Sequence, residues 1–262
     1  MKIFATILAF NAVLLSSLAA SGEIKELRSD HFIISSQRDV DKAYVDTVKD
    51  LAETYYKTIT QEFNLIRDKL WLWDNRAKIF IAKDKEYYLR KYGCPSWSDA
   101  CVNYTTKIIY TYPNQAHFSS ILAHELTHII FREYVGGGRL PLWLEEGIAV
   151  YIDDKYGKRN ASFSLNLVRK AIENKTYIPF VNLNYITTAL LNKQPKNYVN
   201  LFYAESFSIV AFLIEKGSRD NFFNLLYFLR NGNNINDALK KSFISIKNMD
   251  DFEKQWIKFY QG

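Results

Sequence analysis

Polarity along the chain changes period several times, and each change marks an element. Residues 3–15 are apolar except at Thr6 and Asn11, and Lys2 is the only charge before Glu23. Small residues surround Leu18, and Ala19-Ala20 suits a signal-peptidase site. The run is short of the roughly 20 apolar residues that a membrane span needs. A signal peptide over residues 1–20 is therefore expected, with a retained anchor as the alternative. No later segment reads as long and apolar enough to span a bilayer. Residues 31–36 read as a strand. Val40, Tyr44, Val48, Leu51, Tyr55, Ile59, Phe63 and Ile66 then recur in steps of three and four, which predicts a helix over 40–66. Residues 77–82 read as a second strand, 85–91 as a short helix, and 102–112, rich in Thr, Ile and Tyr, as a third strand. A helix over 117–135 stops at Gly136-Gly137-Gly138, and Pro141 suits the first turn of the next. Beyond Lys155 the periodicity is helical, at about 164–173, 184–192, 201–216, 220–230 and 250–260.

This order predicts an α+β lobe over residues 21–156 followed by an α-helical lobe over 157–262 that completes a shared cleft. No Gly/Ser linker separates the two. The 262 residues are 48% hydrophobic and 24% charged, which excludes low-complexity disorder and a multi-pass membrane protein. Ten Gly and five Pro are few for a loop-rich all-β chain. Residues 157–262 carry 15 basic and 8 acidic groups, against 18 and 20 in residues 21–156. The basic excess includes no run of five like charges, so a solvated surface is expected and a nucleic-acid partner is not. The two cysteines, Cys94 and Cys101, are separated by six intervening residues. In an exported chain that spacing predicts one disulfide, contributing ~2 kcal/mol and pinning a local loop. Periplasmic or secreted localisation follows from the leader.

One pentapeptide carries the chemistry: His124-Glu125-Leu126-Thr127-His128. Histidines at i and i+4 lie one helical turn apart on one face, so both imidazoles can reach one metal ion. Glu125 falls about 100° around the helix, beside the metal, where its carboxylate can act as a base toward water. A catalytic zinc site needs a third protein ligand and one open position. Residues 140–151 (LPLWLEEGIAVY) supply two adjacent carboxylates, Glu145 and Glu146, on an apolar helix. Both have apolar neighbours at three and four residues, so periodicity leaves the choice between them open.

The pairing of His-Glu-x-x-His with Trp-Leu-x-Glu-Gly-x-Ala-x-Tyr over residues 143–151 resembles the gluzincin metallopeptidases. Within them it is most similar to small exported peptidases of the MA-like type, and more distantly to the aminopeptidase branch. The resemblance implies a thermolysin-like zincin lobe with a small sheet and an active-site helix. It also implies one Zn²⁺ held by His124, His128 and Glu146, the Glu before Gly. It is firm over about 117–156 and extends weakly through residues 201–213, where Tyr203 matches the family's oxyanion-stabilising Tyr. The bland alternative for Tyr203 is one more core aromatic. Asp153, seven residues after Glu146, matches an acidic partner for a zinc histidine; the alternative is an exposed Asp at a fraying helix end. His117 reads as a residue at the start of its helix and His31 as structural.

Seventeen residues separate His128 from Glu146, one fewer than in the aminopeptidase branch, and that branch's Gly-x-Met-x-Asn strand has no counterpart. Aminopeptidase action is therefore not implied. The expected function is zinc-dependent hydrolysis of peptide or protein substrates outside the cytoplasm, with Glu125 as general base and Tyr203 as oxyanion donor. The strand over 102–112 is expected to be the edge that takes extended substrate. The rival is a catalytically silent zinc-bound interaction module, whose likeliest sign, loss of Glu125, is absent.

Overall fold

Five short strands form one mixed sheet in the order β1-β2-β3-β5-β4. They are β1 (Ile24–Arg28), β2 (Phe32–Gln37), β3 (Ala77–Ile81), β4 (Ala100–Asn103) and β5 (Ile108–Thr111). A computed structural model describes residues 24–67, 69–94, 99–113, 118–136, 140–157 and 162–262. The signal peptide expected over 1–20, His117, Gly137 and Gly138 lie outside the described residues. The central strands pair in parallel, β2 with β3 and β3 with β5, and bury Phe32, Ile34, Ile79, Ile81 and Ile109. Parallel neighbours need crossover connections, and α1 (Lys42–Glu62) and α2 (Lys85–Tyr92) lie on them. Antiparallel β1 and β4 close the two edges.

The stripe predicted for the first helix is the face α1 buries, with Tyr44, Val48, Tyr55 and Ile59 inside. Asp41 caps its start, accepting from the Ala43 N–H at 3.1 Å. The helix stops at Glu62 and not at 66, because Asn64 takes φ 48°, a left-handed conformation that a helix cannot continue through. Glu62 then accepts from Lys155 Nζ (2.6 Å) and the Tyr156 hydroxyl (2.8 Å) and forms an ion pair with Arg219 Nη2 (2.9 Å). One carboxylate thus ties α1 to two helices of the second half of the chain.

The single strand expected over 102–112 is two strands. β4 and β5 form a hairpin whose turn starts at Asn103, where Oδ1 accepts from the Thr106 N–H at 3.1 Å, and whose Lys107 has φ 55°. With no Gly or Pro in the turn, nothing broke the apolar pattern; the Asn side chain makes the turn instead. The edge strand is β4, and β5 is interior. Cys94, just past α2, and Cys101 of β4 form the expected disulfide, Cα–Cα 5.9 Å.

Helices α3 (Phe118–Val135) and α4 (Leu142–Tyr156) pack on each other, and α8 (Lys196–Lys216) packs on α4. Gly136, with φ 66°, ends α3 by donating its N–H to Arg132 O at 3.0 Å, and Pro141 opens α4. Gly147 lets α4 and α8 meet closely, since a Cβ there would run into the Ser206 backbone and Val210. By length and hydropathy α8 could cross a bilayer, contrary to the sequence expectation. Its side chains from Phe202 to Leu213 are nearly all buried among the neighbouring helices, as in the core helix of a folded domain. The remaining helices are α5 (Ser162–Glu173), α6 (Phe180–Leu183), α7 (Thr188–Leu191), α9 (Arg219–Arg230), α10 (Ile235–Ser242) and α11 (Met249–Gln261). The helix expected over 184–192 is the short α7 alone, and β1 and α10 were not expected. The fold is α+β, a small sheet with its helices followed by a helical array.

Candidate metal centre

The site lies where α3 meets α4. His124 and His128, one turn apart on α3, bring their Nε2 atoms to 3.1 Å. Glu146 of α4 places Oε2 at 3.6 Å from each of them. Three donors at 2.0–2.2 Å from one tetrahedral ion would stand about 3.3–3.6 Å apart. The triangle of 3.1, 3.6 and 3.6 Å lies close to these separations, with the two imidazoles having only to part slightly to hold a zinc ion. Among the described residues it is the one group of three or more His, Cys, Asp and Glu whose donors converge in this way. Without an ion one of these Nε2 atoms can donate to the other, whereas a bound metal takes both as acceptors.

Glu145, the alternative ligand of the sequence reading, turns to the outer nitrogen of His128. Its Oε1 lies 3.2 Å from Nδ1, within ion-pair reach although the tilt denies that buried nitrogen an aligned hydrogen bond. The same oxygen accepts from Arg132 Nε. A carboxylate beside the outer nitrogen of a metal-binding His fixes the ring's orientation and raises its basicity. Burial works against a charged His128, but Glu145 and Glu146 outweigh it and raise its pKa. Burial would likewise raise Glu146, yet the facing imidazoles of His124 and His128 hold its carboxyl well below the ordinary range. A metal ligand must be unprotonated, so zinc binding at His128 competes with a proton that these carboxylates favour.

Glu125 stands beside this triangle and accepts a hydrogen bond from the Tyr104 hydroxyl at 3.2 Å. Tyr104 follows β4 in the hairpin turn, edge-on to His128 with ring centroids 5.8 Å apart. The Arg132 guanidinium lies 3.9 Å from the Tyr104 ring centre. Burial first, then the negative charge of Glu125, pushes the Tyr104 hydroxyl far up, so it stays a donor. Sequence reasoning missed both residues. Arg132 was within reach, since it stands one turn beyond His128 on the same face. Tyr104 was hidden inside a strand that turned out to be a hairpin.

Asp153 is 2% exposed, which removes the exposed-Asp alternative; it lies beside Gly157, and its charge acts on Tyr55. Tyr203 is partly buried and packs with Val150 and Phe207 where α8 meets α4. His31 is structural: its backbone N–H and its Nδ1 meet Glu53 at 2.8 and 2.6 Å, and its ring stacks on Tyr56.

A search of the curated proteins finds no match. Among solved structures the chain is similar to yeast LTA4 hydrolase in complex with Bestatin, at 14% identity and a TM-score of 0.47. That likeness covers 91% of this chain and 36% of the other, so the chain spans about a third of that protein's length. A family model described as the Peptidase MA superfamily matches residues 94–262, more than half of the sequence and the whole of the His/Glu triangle. With the metal-fitting donors inside the matched segment, the chain belongs to the Peptidase MA superfamily.

Proposed function

We propose that this chain is a zinc-dependent peptidase, exported from the cytoplasm, with His124, His128 and Glu146 as zinc ligands. The observation that carries the reading is the donor triangle, which has tetrahedral spacing and a general-base carboxylate beside it. When bound, zinc would lower the pKa of water and polarise a peptide carbonyl. Glu125 takes the proton from the attacking water and returns it to the leaving amine. Tyr203 donates to the oxygen that gains negative charge, and Glu145 holds His128 in register from its outer nitrogen. Asp153, buried on α4, is taken as an acidic partner of a zinc histidine. The free edge of β4, next to Tyr104, takes an extended substrate segment by strand addition.

Export rests on the apolar leader over 1–20 and on the Cys94–Cys101 disulfide, a bond that persists in oxidising compartments. We take residues 21–156 as the zincin lobe and 157–262 as the helical lobe. Cleavage of a mixed peptide library by the zinc-loaded mature chain, with Glu125→Gln as the blank, tests the reading. Turnover in the parent and near-background rates in Glu125→Gln are expected. A parent that binds zinc and cleaves nothing would make the chain a silent zinc-bound interaction module.

A further inference from the structure

We propose that Tyr104 is a positioning residue for the base: its hydroxyl holds Oε2 of Glu125 and leaves Oε1 as the oxygen that accepts the proton. The inference rests on the peptidase reading above and names a part that this reading lacks. Glu125 has three rotatable side-chain bonds, and a base displaced by even an ångström loses much of its effect. Something must fix it. Among the hydrogen bonds and ion pairs described for Glu125, the Tyr104 hydroxyl at 3.2 Å is the one that reaches its carboxylate.

Tyr104 is itself fixed by the two helices that carry the metal donors. Its ring meets His128 of α3 at an interplanar angle of 72°, and its face is covered by Arg132, also of α3. Arg132 is anchored in turn by its ion pair with Glu145 of α4. A cation over an aromatic face is attracted by the ring's quadrupole and so holds the ring in place. The hairpin turn is thus registered to the ligand helices through one ring, and the hydroxyl is aimed by that ring. A phenol has one hydrogen to donate. While it serves Glu125 it is not available to a substrate oxyanion, so the assignment is distinct from the one made for Tyr203.

Tyr104→Phe tests this, because the ring and both of its contacts remain while the hydroxyl goes. Zinc content and KM should stay as in the parent, and kcat should fall about 10- to 100-fold, as for other residues that hold a catalytic group. A second readout needs no turnover. The carboxylate stretching band of Glu125, isolated as the infrared difference between parent and Glu125→Gln, should shift in Tyr104→Phe. An unshifted band would overturn the proposal, as would an unchanged kcat. A raised KM at constant kcat would make Tyr104 a substrate contact, and loss of zinc would make it a prop for His128; either overturns it. If the parent itself cleaves nothing, the peptidase reading fails, and the band still decides whether Tyr104 holds Glu125.

Discussion

The two glutamates at 145 and 146 are adjacent in sequence and opposite in use. Glu146 Oε2 points between both imidazoles, whereas Glu145 Oε1 faces only the outer nitrogen of His128 and Arg132. Consecutive helical residues diverge by about 100°, so one step along α4 is enough to send the two carboxylates to different partners. Glu146→Ala should therefore abolish stable zinc binding, with two nitrogens left to hold the ion. Glu145→Ala should keep the zinc and weaken it by about 10- to 100-fold, the usual effect of losing an outer partner of a metal-binding His. Competitive zinc titration against a chromogenic chelator measures both. Equal losses would mean that the brace and the ligand are not distinct.

At the scale of elements, the spacing of α4 from α8 decides where Glu146 stands. The contact runs through Gly147, where an added methyl would meet Ser206 backbone atoms and the Val210 side chain. Backbone cannot yield as a side-chain tip does, so Gly147→Ala should destabilise the fold by about 1–3 kcal/mol. It should also weaken zinc binding, because the displaced helix carries its neighbour Glu146. Denaturant unfolding read beside zinc affinity checks the coupling; a stable variant with parental affinity would refute it. These elements were legible to different degrees. α1, α3, α4, α9 and α11 carry long apolar stripes or clear stop signals, and the His-Glu-x-x-His spacing shows without any fold. The β4–β5 hairpin was not legible, because its turn is made by the Asn103 side chain and a left-handed Lys107, with neither Gly nor Pro to mark it. Nor was β1, an exposed edge strand in which charged residues stand where an alternating pattern would be sought. The choice between Glu145 and Glu146 came from resemblance alone, since both sides of α4 are apolar.

The molecule as a whole is held together by a few buried polar groups as well as by its core, and these set its response to pH. Glu205 of α8 is fully buried; Oε1 accepts from the Ile178 N–H at 2.9 Å, and Oε2 has no hydrogen-bond partner among the described residues. Burial pushes its pKa up to about 8 against the opposing Ile178 bond, and the charge of Glu253 adds to the rise. A carboxyl raised in the folded state adds its full stability below its ordinary pKa of 4.5 and loses it as pH climbs to about 8. Glu205→Gln removes that dependence. The variant's thermal midpoint should rise relative to the parent's between pH 5 and pH 8, and a constant difference across that range would show that Glu205 does not titrate late. The claim on which the rest depends is the metal. Mature chain stripped of metal and titrated with zinc should bind one ion per molecule, as should Glu125→Gln, while His124→Ala and His128→Ala should bind far more weakly. Elemental analysis that finds no zinc taken up by the parent, or equal uptake by the histidine variants, would contradict the account.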